Sequence, residues 1–256
     1  MDKTAFNAQF DLTGRVAIVT GGSRGIGSEI AETAAALGAQ VVVASRKADA
    51  CAAVVERITS EGGTAIAVPT HCGRVDELEA LAAATVDRFG AIDIVVNNAA
   101  NALAAPIGAI TQDAWDKAHA VNVRGPLFLV QAALPHLRAS EHASIVNVIS
   151  AGVFTPATYM GIYISAKNAL LSLTRTMAAE LVGDGIRANA LAPGVTDTDM
   201  VRHNPPDVQK MMVNSCAMRR MAARSEIANA AIFLMSDASS YMTGQALVVD
   251  GGMTFR

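Results

Sequence analysis

The chain is expected to fold as one α/β domain, a doubly wound sheet of seven parallel strands with helices on both faces. Three observations predict this. Seven short apolar runs alternate with longer stretches of helical pattern along nearly the whole chain. A glycine cluster, from Gly21 to Gly27, lies directly between the first apolar run and the first helical stretch. Across 256 residues no linker, low-complexity run or charge block marks a second domain.

Taken in order, a polar tail from Met1 precedes Arg15–Thr20, whose unbroken apolar character reads as a fully buried strand. The turn that follows holds Gly21, Ser23, Arg24, Gly25, Ile26 and Gly27, and an Ala-rich helix then runs to about Leu37. Strand, glycine turn and helix is the arrangement in which helix N-terminal amides face a pyrophosphate. Glycines there let a phosphate and the next strand approach the backbone closely. Gln40–Ser45 is the second strand. Its end carries Ser45, Arg46 and Lys47, where a ribose-binding carboxylate would otherwise stand. A hydroxyl and two guanidinium groups, counting Arg24, suit a 2′-phosphate, so the expected cofactor is NADPH/NADP+ rather than NADH.

The pattern repeats with strand Thr64–Thr70, helix Val75–Phe89 and strand Ile92–Val96. The fourth strand ends in Asn97, Asn98, Ala99 and Ala100, whose amides either tie strand ends together or border a ligand. One long helical region is expected from Thr111, as N-cap, to about Arg138. Pro126 lies inside it and lacks the N–H that would bond the carbonyl of Asn122, which frees that acceptor for a water.

Strand Ser144–Ile149 leads into Ser150, a Gly/Pro-containing turn, and a helix from about Tyr159 to Leu181. Tyr163 and Lys167 are four residues apart and share one helical face. A free tyrosine has a pKa of about 10. A nearby ammonium would stabilise the phenolate and bring the group toward the working range. Ser150 would hold a substrate oxygen against the same phenol. A sixth strand, Ile186–Leu191, is followed by Pro193, Gly194, Thr196 and Thr198. The stretch from about 200 to 224, with Pro205, Pro206 and five methionines, reads as an adaptable apolar lid. Helix Ser225–Met235 and strand Ala246–Val249 finish the sheet.

Apolar residues make up 52% of the chain, aromatics 4% and charged residues 17%, enough for a large aliphatic core with apolar surface left for neighbouring subunits. The net charge of −3 and the absence of a basic run argue against nucleic acid as a partner. No apolar signal region or membrane-length segment is found, and three scattered cysteines fit reduced thiols, so a cytoplasmic location is expected. No metal is expected.

These motifs together resemble the short-chain dehydrogenase/reductase family, over roughly Leu12 to Met253. The glycine turn, Asn97-Asn98-Ala99, the set Asn122, Ser150, Tyr163 and Lys167, the pair Pro193-Gly194, and Thr243-Gly244-Gln245 with Asp250-Gly251-Gly252 stand in the family's order. The resemblance implies a Rossmann-type fold and NAD(P) bound along the strand ends. It implies Tyr163 as the acid that protonates the substrate oxygen, Lys167 as its pKa partner and ribose ligand, Ser150 as the group orienting the carbonyl, and Asn122 as holder of a relay water. It also implies a homotetramer or dimer built through the long helices near 112–138 and 159–182 and the last helix and strand. His71 and Cys72 stand where the family often has Asp-Val beside the adenine. Ala100 replaces a usual glycine, and Ala217–Arg220 replaces Pro-Leu-Gly-Arg. Asp184 occupies a place that carrier-protein reductases tend to make basic. The function expected is NADPH-dependent reduction of a small, fairly apolar ketone or aldehyde. A 3-oxoacyl-thioester reductase and a non-catalytic dinucleotide sensor are the alternatives.

Overall fold

A computed structural model describes residues 2–255; Met1, where the expected tail begins, and Arg256 lie outside them. Strands β1 (Val16–Thr20), β2 (Gln40–Ser45), β3 (Thr64–Pro69), β4 (Ile94–Asn97), β5 (Ser144–Val148), β6 (Arg187–Pro193) and β7 (Ala246–Val249) form one sheet, ordered β3-β2-β1-β4-β5-β6-β7. Every neighbouring pair is parallel, as expected. The chain winds outward from β1 to β3, crosses back to β4 and winds outward again to β7. At the reversal between β1 and β4 a crevice opens beyond the carboxyl ends of the strands, the position such sheets use for ligands.

The helices are α1 (Lys3–Ala8), α2 (Gly25–Ala36), α3 (Ala48–Ser60), α4 (Val75–Phe89), α5 (Gln112–His119), α6 (Gly125–Ala139), α7 (Gly161–Leu181), α8 (Asp199–Arg202), α9 (Pro206–Ser215) and α10 (Arg224–Met235). Side-chain alternation along the strands splits the core in two. Ala17, Val19, Val41 and Val43 pack with α2, α3 and α10 through Ile30, Val54 and Ile227. Ile18, Val42 and Val95 pack on the other face with α4, α6 and α7 through Leu81, Leu129 and Met177. Each such fully buried aliphatic side chain contributes roughly 1.5–3 kcal/mol of transfer free energy.

The structure departs from the sequence reading in several places. The polar N-terminal tail, for which no helix was expected, forms α1, started by Asp2, whose carboxylate accepts from the Ala5 N–H at 2.8 Å. The long helix expected from 111 to 138 is interrupted by a π-helical turn at Ala120–Arg124, where the Gly125 N–H reaches the Ala120 carbonyl. Pro126 then falls in the first turn of α6, where a missing N–H costs little. The lid stretch is two short helices, α8 and α9. Val201 and Cys216 are buried, with Met212 and Met221 packed against them, while Met200, Met211 and Met218 stay exposed.

A buried polar chain crosses the second core. Asn97 Nδ2 donates to Asn147 Oδ1 at 2.9 Å, and Asn147 Nδ2 donates to Thr174 Oγ1 at 2.9 Å. The Thr174 hydroxyl in turn donates to the Leu170 carbonyl at 2.7 Å. It links β4 to β5 and α7, the strand that leads to Ser150 and the helix that carries Tyr163 and Lys167. Asn147→Leu would leave the Asn97 amide and the Thr174 hydroxyl short of partners. It is expected to lower unfolding stability by roughly 2–4 kcal/mol, read from urea midpoints at constant slope.

Candidate active site

The site assembles at the carboxyl ends of β1, β4, β5 and β6. At β1 and β4 the strand ends are bolted together. Asn98 Nδ2 donates to the carbonyls of Thr20 (2.9 Å) and Gly21 (3.2 Å), while the Thr20 hydroxyl accepts from the N–H groups of Asn98 and Ala99. A Cβ on Gly27 would lie 2.3 Å from the Gly21 carbonyl oxygen and 2.4 Å from Asn98 Nδ2, and Gly21 itself has φ +63°. Both glycines are therefore required by the backbone. Of the two roles open to the asparagine amides, the strand-end tie is the one observed for Asn97 and Asn98 alike.

Ser23 Oγ donates to Ser45 Oγ at 3.0 Å, which joins the glycine turn to the end of β2. Arg24 lines a hollow of about 410 Å³ with Ser23, Gly25, Thr198, Arg202 and Arg224. Arg46 lines a second, of about 260 Å³, with Thr70, His71, Arg74 and Glu77. Arg74 was not singled out from the sequence, where it reads as an ordinary residue opening α4. The His71 backbone N–H donates to Glu77 Oε2 at 2.5 Å, and the imidazole Nδ1 accepts from the Gly73 N–H at 3.1 Å, so the backbone and one edge of the ring are held. The Cys72 side chain belongs to the core, and burial pushes its thiol up to about 11. Only its backbone is left for the cleft. Pro193 ends β6; a Cβ on Gly194 would fall 2.6 Å from the Asp250 Cα. Thr196 is buried and bonded to the Gly194 carbonyl, and Thr198 stands before α8.

Ser150 follows β5 in extended conformation, its hydroxyl oxygen accepting from the Gly152 N–H at 3.1 Å. Tyr163 lies in the first turn of α7, hydrogen-bonded to Ser150. Lys167 is fully buried one turn later and donates from Nζ to the Val148 carbonyl at 2.7 Å. Nζ sits 5.7 Å from the centre of the Tyr163 ring. Three of the four expected residues thus converge. Their electrostatics differ from expectation. Burial raises Tyr163 to about 12, against the lowering pull of the Ser150 bond, and lowers Lys167 to about 7. The expected lowering of the phenol fails because desolvation outweighs the hydrogen bond and the amine is itself driven toward neutrality. Asn122, also buried, is engaged through its side chain. Its amide nitrogen donates to the carbonyls of Asn101 (2.8 Å) and Ala118 (2.9 Å), and its oxygen accepts from the Asn101 N–H. It fixes the loop that leaves β4. The asparagines set among apolar strand residues, Asn97 and Asn147, are the sequence signal for the chain that supports α7.

A family model described as enoyl-(acyl carrier protein) reductase matches residues 21–254. The Aspergillus oryzae protein named short chain dehydrogenase/reductase astE is 36% identical over 98% of this chain and 99% of its own length. The chain belongs to the short-chain dehydrogenase/reductase family. Human dehydrogenase/reductase SDR family member 4 is 37% identical over 96% of this chain and 89% of that one. A crystal structure of a 3-oxoacyl (acyl-carrier-protein) reductase from Agrobacterium tumefaciens C58 with NADP bound superposes at a TM-score of 0.90. It is 33% identical, over 95% of this chain and 96% of that one. This family member is accordingly an oxidoreductase, and its family uses NAD(P).

The buried lysine has a measurable consequence. With a folded pKa of about 7 against an ordinary 10.5, the unfolded chain holds a proton that the folded one lacks between those values. The destabilisation caused by Lys167 is therefore full below pH 7 and fades as pH rises. The stability gap between Lys167→Met and the unsubstituted chain is expected to narrow from pH 7 to 9.5, by at most about 1.4 kcal/mol per pH unit in denaturant titrations.

Proposed function

We propose that this chain is an NADP-preferring carbonyl reductase acting on a small apolar ketone or aldehyde. The observation that carries the reading is the convergence of Ser150, Tyr163 and Lys167 beside a glycine cradle that no Cβ could enter. The residues present fit the cofactor. Gly21, Ser23, Arg24, Gly25, Ile26 and Gly27 would take the pyrophosphate side, Ser45, Arg46, His71 and the Cys72 backbone the adenosine. Asn98, Ala99, Tyr163, Lys167, Pro193, Gly194, Thr196 and Thr198 would take the nicotinamide half. Asp197 and Asp199 also line the hollow around Arg24, and Glu77 that around Arg46, but arginines outnumber carboxylates in both, which supports a phosphorylated ribose.

When bound, the nicotinamide supplies hydride to the carbonyl carbon. The chain's own work is proton management. The Ser150 hydroxyl fixes the carbonyl oxygen against the phenol of Tyr163. A phenol held near 12 is fully protonated at neutral pH, which is the form an acid must have to donate. It gives its proton to the oxygen as negative charge builds there. Lys167, near 7, exchanges protons at neutral pH and restores the phenol. The Asn122 carbonyl is the proposed holder of the water that feeds Lys167. The segment from about 200 to 224 is proposed as the substrate lid, and a homotetramer as the assembly.

The names of the matching family model and of the Agrobacterium neighbour favour a thioester reductase as the second reading. Against it, Asp184 is committed to an ion pair with Arg138 at 2.8 Å, and supplies no positive charge for an acidic carrier.

Tyr163→Phe keeps the ring's volume and removes the transferable proton. It is expected to cut turnover by about a hundred- to ten-thousand-fold with NADPH affinity near the original, followed as loss of absorbance of the reduced cofactor. A variant that kept a tenth of the rate would refute the assignment. For the cofactor, Ser45→Asp with Arg46→Ile should shift the ratio of kcat/KM toward NADH. The new carboxylate repels a 2′-phosphate and accepts from a ribose hydroxyl. Kinetics showing that the unsubstituted enzyme already prefers NADH would overturn the preference.

A further inference from the structure

Tyr159 is one of two non-glycine residues with positive φ among those described, at +63°. For a residue with a bulky Cβ substituent that region is strained, and such strain gathers at ligand-handling positions. The fold holds the strain from outside. The Ala105 N–H donates to the Tyr159 carbonyl at 2.8 Å, and the Ile164 N–H pulls the next carbonyl, that of Met160, into α7 at the same distance. Nothing inside the chain rewards the ring itself: it is 65% exposed and joins no aromatic pair among the described residues.

Its neighbours share that character. Ile107, 81% exposed, belongs to the loop that Ala105 ties to Tyr159, and its Cδ1 would lie 3.3 Å from a Cβ on Gly161. Phe154, 43% exposed, ends the 3-10 turn that starts at Ser150. Two aromatic rings and a branched aliphatic chain thus stand in water on the three segments that frame Ser150 and Tyr163. A tyrosine is costly here, where a glycine would be free of strain.

We propose that Tyr159 is a specificity-determining residue, whose ring, with Phe154 and Ile107, selects a carbonyl substrate bearing a flat aromatic ring. This rests on the carbonyl-reductase reading above and narrows it. Aromatic pairs in offset or edge-to-face contact gain stabilisation beyond their buried area, and an aliphatic chain does not.

The test compares acetophenone, cyclohexyl methyl ketone and 2-butanone as substrates, with NADPH, for the unsubstituted chain, Tyr159→Gly and Tyr159→Phe. In Tyr159→Gly the kcat/KM ratio of acetophenone to 2-butanone is expected to fall about tenfold. The melting temperature should hold or rise by a few degrees as the strain is relieved. Tyr159→Phe, which keeps the ring, should keep the ratio. In the unsubstituted chain acetophenone should be preferred over cyclohexyl methyl ketone. An unchanged ratio in Tyr159→Gly overturns the proposal and leaves the reductase reading intact. So does a lower sedimentation mass of that variant, which would place the ring between copies of the chain. Reduction of none of the three ketones by the unsubstituted chain defeats both.

Discussion

The close approach of β1 to β4 beyond their hydrogen-bonded ends is the constraint on which the rest of the structure depends. Asn98 reaches across to Thr20 and Gly21, and Gly27 packs where no side chain fits. This junction sets where α2 begins, hence where its amides point. It also sets the depth of the crevice into which β5 and β6 deliver their terminal residues. A methyl group at Gly27 would push the glycine turn off β4 and misalign both halves of the site.

The second half is aligned from below. Asn97, Asn147 and Thr174 run as one hydrogen-bonded line from β4 through β5 to α7. The line keeps Ser150, at the end of β5, facing Tyr163 on α7. It passes through an otherwise aliphatic core, so its members have no water to fall back on. The same dryness acts on the chemistry. One environment drives a phenol up and an amine down, and in the proposed reaction these two groups are the acid that stays loaded and the base that exchanges at neutral pH. A polar site would have given neither.

Much of this was legible in the residues. Unbroken apolar runs located all seven strands, because a parallel sheet covered on both faces leaves no polar alternation to confuse the reading. The glycine turn and Ser150, Tyr163 and Lys167 were legible from spacing. What escaped depends on tertiary balance. The direction of the Tyr163 shift follows from how much water the fold excludes, which spacing does not encode. The start of α7 moved from Tyr159 to Gly161 because Tyr159 adopts a backbone its residue type disfavours.

The π turn at Ala120–Arg124 has one more consequence. A turn closed five residues back holds one residue beyond an ordinary helical turn, and the surplus bulges while the helices on either side keep their facing. The chain is thus one residue longer than packing of α5 and α6 demands. Shortened by that residue, the two would merge into a single rod with Leu129 and Leu137 still seated against the sheet. Asn122 would be the loss, since its grip on Asn101 is made from the bulge. The surplus residue thus serves the hold of Asn122 on Asn101 and not the seating of the helices.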